Sequence, residues 1–132
     1  MASERVERLR GLADRWNRGD VDRFLDGFAP GFEFRPDPSF PDARPMSGEE
    51  LRSWMHQWAD TWAGSELEVL ELSEHGDAAT ARARWHLRAA DSEIELPVGD
   101  FTFVVWFDEA DRPARGAAFF DHEQALSTIA EA

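Results

Sequence analysis

An α+β fold, with a bent antiparallel sheet wrapping N-terminal helices, is predicted by three observations. Apolar residues recur at helical spacing in the first part of the chain. A helix start of the form S-x-x-E stands at Ser47-Gly48-Glu49-Glu50. Beyond Gly64 the pattern changes to period two and stays so almost to the end.

The first helix is predicted over roughly Glu4 to Arg18, with Val6, Leu9, Leu12, Ala13 and Trp16 on one face. Gly19 ends it, and Asp20 can cap a short second helix that carries Val21, Phe24, Leu25 and Phe28. Pro30 and Gly31 break that pattern. The segment GFEFRP then alternates as a strand, with Phe32 and Phe34 opposite in face to Glu33 and Arg35. Four prolines surround Phe40 in PDPSFPDARP, an irregular loop suited to covering a pocket. In the third helix Leu51, Trp54, Met55, Trp58 and Trp62 form a stripe, leaving Arg52, His56 and Asp60 outside.

Leu67, Val69 and Leu72 belong to a strand that turns at His75-Gly76-Asp77. A turn at Ala90-Asp91 would set Arg88 opposite Glu93, Leu87 opposite Ile94, His86 opposite Glu95 and Trp85 opposite Leu96. One face of that hairpin is then apolar and the other a ladder of opposite charges, which places Arg82, Arg84, His86 and Arg88 outside. A last hairpin runs from Phe101 to Phe107, turns at Asp108 to Arg112, and returns from Pro113 to Phe120. Asp121-His122-Glu123-Gln124 opens a short C-terminal helix through Leu126 and Ile129.

Bulk properties bound the function. The 132 residues suit one domain, 1–132, and a 42% apolar share is that of a globular chain. A formal charge of −13 argues against nucleic acid and against an acidic membrane surface. The apolar runs are too short to span a bilayer, and the charged N-terminus has no leader-like apolar core. A cytoplasmic location is the expectation. All 14 basic residues are arginine and there is no tyrosine, a bias typical of GC-rich, bacterial coding. Without cysteine there is no thiolate or disulfide chemistry, and the four histidines are scattered without metal-ligand spacing, so neither metal nor cofactor is expected.

The segments WNRGDVDRFLDGFAPGFEFRPD, SGEELRSWM and FVVWFDEADRPARGAAFFDHEQAL resemble the nuclear transport factor 2-like superfamily, and within it the SnoaL-like branch. The resemblance covers nearly the whole chain. It implies a cone-shaped roll: a strongly curved antiparallel or mixed sheet around three N-terminal helices, with a short C-terminal helix. It also implies a small hydrophobic molecule as partner and a homodimer through the outer sheet face. The activity is open, because this fold hosts isomerases, cyclases, hydrolases and plain binding modules.

Resemblance to three enzyme types can be weighed residue by residue. At the positions of the tyrosine, base and protonated aspartate of a ketosteroid isomerase stand Leu12, Pro36 and Phe103, with Asp37 one residue from the base position. An epoxide hydrolase of the limonene type would need Arg-x-Asp and a further aspartate where Arg84-Trp85-His86 and Ala118 stand. The polyketide cyclases of the SnoaL type use an acid/base aspartate about where Asp121 falls. Asp121 is equally well placed as a helix cap.

The candidates are therefore Asp121 and Asp37 for acid/base chemistry. Trp16, Phe32, Phe34, Trp54, Trp58, Trp85, Phe101, Phe103 and Phe120 are the candidates for an apolar ligand. Three functions follow: a cyclase, isomerase or hydrolase acting on a polyketide-, steroid- or terpene-like substrate; a non-catalytic binding module; or a dimerisation domain whose aromatics are simply core.

Overall fold

The computed structural model describes residues 3–40, 43–61, 66–88 and 95–131. The chain opens with α1 (Glu4–Asn17) and α2 (Val21–Asp26), then β1 (Glu33–Arg35), β2 (Met46–Ser47) and α3 (Gly48–Thr61). The long strands β3 (Glu66–His75), β4 (Ala78–Arg88), β5 (Glu95–Phe107) and β6 (Pro113–Phe119) follow, and α4 (His122–Glu131) closes the chain.

Local chemistry sets these boundaries. Ser3 accepts from the Val6 N–H at the start of α1, and Asp20 accepts from the Arg23 N–H at the start of α2. Gly19, at φ 78°, makes the turn between the two helices. The start of α3 differs from the predicted capping box. Ser47 pairs with Glu33 as the last residue of β2, and Glu50 turns its carboxylate to Arg44 at 2.8 Å. Trp62 lies outside the described residues.

The strands form one six-stranded mixed sheet in the order β2-β1-β6-β5-β4-β3. All neighbours run antiparallel except β1 and β6, which are parallel. Register shifts at Val69/Glu71, Arg84/His86 and Trp106/Phe107 interrupt the three long ladders. Each such bulge bends its strand, which is how the sheet curves around the helices. The first shift also explains a change of phase: Leu67 and Val69 are odd-numbered and Leu72 even, yet all three face inward. The extra residue leaves Leu70 exposed.

The register of β4 on β5 departs from the expected one by two residues. Arg88 lies opposite Glu95, Leu87 opposite Leu96 and His86 opposite Pro97. A shift of two keeps every side chain on its face, so the alternating pattern alone could not tell the two registers apart. The proposed turn at Ala90-Asp91 lies outside the described residues.

Both faces of the sheet are used. On the concave face, Leu9 and Leu12 of α1 pack on Ala79, Val105 and Phe107. Phe32, Met46, Leu51 and Met55 bind α3 to α2 and β1. On the convex face α4 covers Val104, Ala117 and Phe119 with Ala125, and Thr102 Oγ1 lies 2.9 Å from His122 Nδ1. Arg5 fastens the start of α1 to both hairpin ends, through Asp111 at 2.7 Å and the Gly76 carbonyl at 2.9 Å. At its other end Asn17 exchanges two hydrogen bonds with the backbone of Leu67, at 2.8 and 2.9 Å.

Candidate functional site

Between the concave sheet face and the helices lies a cavity of about 150 Å³. Its existence follows from which residues sit side by side across the strands. Ala81 of β4, Phe103 of β5 and Ala118 of β6 form one inward row, and Ala83 lies beside Phe101 in the next. Each phenylalanine is thus flanked by a side chain that is only a methyl group. Gly116 contributes no side chain at all, and a Cβ there would come within 3.0 Å of Phe32. The floor is low while the walls are tall, so the space between them is left open.

The walls are aromatic and touch one another in sequence. Phe34 meets Trp54 at 6.0 Å between ring centroids, Trp54 stacks on Trp58 at 5.8 Å, and Trp58 meets Trp85 at 6.3 Å. Trp16 stands edge-on to both Trp85 and Phe24, at 5.8 and 5.2 Å. Phe24, Phe28 and Phe32 continue the line at 4.9 and 4.2 Å. Such edge-on and offset contacts are the favourable geometries for aromatic pairs.

Eight of the nine aromatic candidates line this cavity: Trp16, Phe32, Phe34, Trp54, Trp58, Trp85, Phe101 and Phe103. Phe120 does not. It stands outside, 39% exposed, with its ring 4.5 Å from Phe101 and 5.6 Å from Phe40. The lining also includes Phe24, Phe28, Phe40 and Met55, which were not among the candidates. Phe24 and Phe28 carried a signal, since their i,i+4 spacing predicts one helical face, although α2 ends at Asp26 and Phe28 lies just beyond it. Phe40 had only its place in the proline-rich loop.

The two carboxylates are not brought into the cavity. Asp121 is exposed and caps α4, accepting from the N–H groups of Glu123 at 2.9 Å and Gln124 at 3.4 Å. Asp37 is buried at 5% exposure, but its oxygens are directed elsewhere. Oδ1 accepts from the Ser39 N–H and Oδ2 from the Phe120 N–H, each at 2.8 Å. Burial is the largest single influence on this carboxyl and pushes its pKa up. Hydrogen bonds from the Ser39 hydroxyl and the Phe120 and Ser39 amides together outweigh it, holding Asp37 below the ordinary carboxylate value. It is therefore an anion at neutral pH, the opposite of a poised proton donor.

Among the described residues, the lining contains no aspartate, glutamate, histidine or arginine. Of the positions compared with known enzymes, Arg84 and His86 lie outside the cavity, while Leu12, Pro36, Phe103 and Ala118 line it. At each lining position the side chain is apolar. Arg82, Arg84 and His86 of β4 point the other way. Arg84 and Arg82 pair with Asp100 at 2.9 and 3.4 Å, and His86 Nε2 lies 3.0 Å from Glu68. Among the described residues, no group of three or more histidines, aspartates and glutamates is arranged to hold a metal. No helix among them is long and apolar enough to cross a membrane.

The model of the SnoaL-like domain matches residues 9–121, and the chain belongs to that family. Solved structures of similar fold include an NTF2-like protein of unknown function from Burkholderia pseudomallei, with 17% identity and a TM-score of 0.77 over 97% of this chain and 98% of that one. AusH from Aspergillus nidulans is similar over 92% of this chain and 86% of its own, with 14% identity and a TM-score of 0.76. TerC, crystallised with polyporic acid, is 16% identical with a TM-score of 0.75 over 98% of this chain and all of its own. At these identities the likeness is one of fold. No curated protein matches the chain in sequence.

Proposed function

We propose that this SnoaL-like chain is a non-catalytic binding module for a flat, uncharged, apolar small molecule. The observation that carries the reading is the chemistry of the wall: aromatic, aliphatic and glycine residues with no ionisable side chain among them. Acid/base catalysis needs a carboxyl or imidazole within hydrogen-bond reach of the proton it moves. Asp37 and Asp121 are both committed to backbone amides outside the cavity. A cyclase or isomerase reading would need one of them to turn inward. A pure scaffold would leave no space beyond a water or two, whereas an apolar cavity of about 150 Å³ stays dry and accepts a benzene-sized guest. That TerC was co-crystallised with polyporic acid is in keeping with a small-molecule site in this fold.

The same reading takes residues 1–132 as one domain. It keeps a homodimer through the charged outer sheet face as its assembly, which light scattering showing only a 15 kDa species would remove.

Toluene tests the proposal, with benzoate as its charged counterpart. Four indoles line the cavity, so tryptophan emission reports occupancy. Toluene should saturate with a Kd of about 10 μM to 1 mM, the range open to so small an apolar ligand. Benzoate should bind far more weakly, because its carboxylate finds no partner inside. Ala81→Leu, which fills the floor, should abolish toluene binding without loss of folding. Equal affinity for benzoate, or no saturable toluene signal in the parent protein, would sink the idea.

A further inference from the structure

The Asp37 carboxylate is buried, ionised and outside the cavity, and the binding reading gives it no role. Its partners show one. Asp37 follows β1, while Phe120 lies 83 residues later, just past the end of β6. The bond from the Phe120 N–H to Oδ2 ties the start of the proline-rich loop to the end of β6, the strand that runs parallel beside β1. The other oxygen holds the loop itself, through the Ser39 N–H, and the Asp37 carbonyl accepts from the Phe40 N–H at 3.0 Å. One residue thus fixes both Phe40 and Phe120.

Those two rings meet at the cavity edge. Phe40 lines the cavity and stands edge-on to Trp58 at 6.4 Å. Phe120 stands outside and bridges Phe40 to Phe101, a second lining residue. A buried carboxylate is tolerated only while its hydrogen bonds are made. Displacing Phe120 removes one of them, so the cost of leaving Asp37 short of a partner falls on any arrangement in which the ring contact opens. We infer that Asp37 is a positioning residue for the entrance of the cavity: it locks the Phe40–Phe120 contact shut and so sets how fast an apolar ligand enters and leaves. The inference rests on the binding reading for its ligand, but the lock itself can be tested without one.

Asp37→Asn keeps the size of the side chain and turns an amide N–H₂ toward one of the two donors. Phe120→Ala keeps the backbone N–H and removes the ring. The exchange of 4-fluorotoluene, followed by ¹⁹F line shape, should quicken about tenfold in either variant, an effect on dissociation as is usual for changes at a binding site. The double variant should be no faster than the singles, since both break one contact. Amide exchange at Phe120 should rise in Asp37→Asn, and acrylamide should quench tryptophan more strongly in both singles. Unchanged ligand exchange in either single, or effects that multiply in the double, would overturn the assignment. If the parent protein binds no fluorotoluene, the binding reading fails, and the lock is then decided by Phe120 exchange and acrylamide quenching alone. Should Asp37→Asn fail to fold, Phe120→Ala carries the test, and unaltered quenching in it removes the lock.

Discussion

The two faces of strand β4 are built from alternate residues of one short segment, yet they have opposite chemistry. Ala81, Ala83 and Trp85 face the cavity, and Arg82, Arg84 and His86 face outward into pairs with Asp100 and Glu68. The inner face carries no charge and is hollow. The outer face carries charges that satisfy one another, backed by α4 over part of the sheet. On the proposed reading, recognition of an apolar ligand belongs to the inner face, and solubility and assembly to the outer one. It also predicts that the same change of charge has very different consequences one residue apart.

The largest effect should come from breaking that contrast on the inside. Ala83 is 0% exposed. Ala83→Asp would place an unpaired carboxylate against Trp85 and Phe101, at a cost of about 3–5 kcal/mol. Arg84→Ala, one position along, should leave the urea midpoint within error at physiological salt, because exposed ion pairs contribute little. Urea denaturation of both variants checks the pair. A mild effect for Ala83→Asp would mean that water enters the cavity, and the apolar-ligand reading would weaken with it.

Much of this architecture was legible in the sequence, and the reasons differ by element. Helical spacing located α1, α2 and α3, and Trp16, Phe24, Trp54 and Trp58, which it put on their inner faces, line the cavity. Alternation placed Arg82, Arg84 and His86 of β4 outside. Whether the aromatic interior is full or hollow was not legible, because that depends on which residues are neighbours across strands. Ala81 beside Phe103 beside Ala118 is a fact of register, and period-two patterns survive any shift by two. The role of Asp37 was hidden for a related reason. Its partner is a backbone amide 83 residues away, and backbone groups leave no mark in sequence.

Asp37 is the buried acid among the described residues, and the effect of replacing it should be intermediate. Its hydrogen bonds hold the folded-state pKa below the unfolded value of about 3.9. A depressed carboxyl contributes stability that is complete above the unfolded pKa and is lost as pH falls through the folded one. Asp22, Asp100 and Asp108 are lowered in the same sense by arginine, histidine or backbone partners, but solvent screens them, so the loss of stability below about pH 4 should come mainly from Asp37. Asp37→Asn should lower stability by about 1–3 kcal/mol at pH 7, the worth of hydrogen bonds to a charged group. It should also flatten the acid limb of the stability profile. Urea unfolding from pH 7 to pH 3 measures both, and an acid limb unchanged in the variant would show that Asp37 is not held ionised by the fold.

Asp121 lies outside the apolar wall, yet it is the acid that a cyclase reading would need. Its Oδ1 already accepts from the Glu123 and Gln124 amides, which a helix cap explains without any catalytic role. Asparagine caps as well as aspartate, and alanine does not. Asp121→Asn should therefore leave both stability and toluene affinity unchanged, whereas Asp121→Ala should cost about 1 kcal/mol and leave affinity unchanged. Thermal melts and tryptophan titrations of the two variants separate the roles. If Asp121→Asn alone altered ligand affinity while the melt stayed put, the carboxylate would be reaching the ligand. The apolar wall would then be only part of the site, and an acid/base reaction would return as the better account.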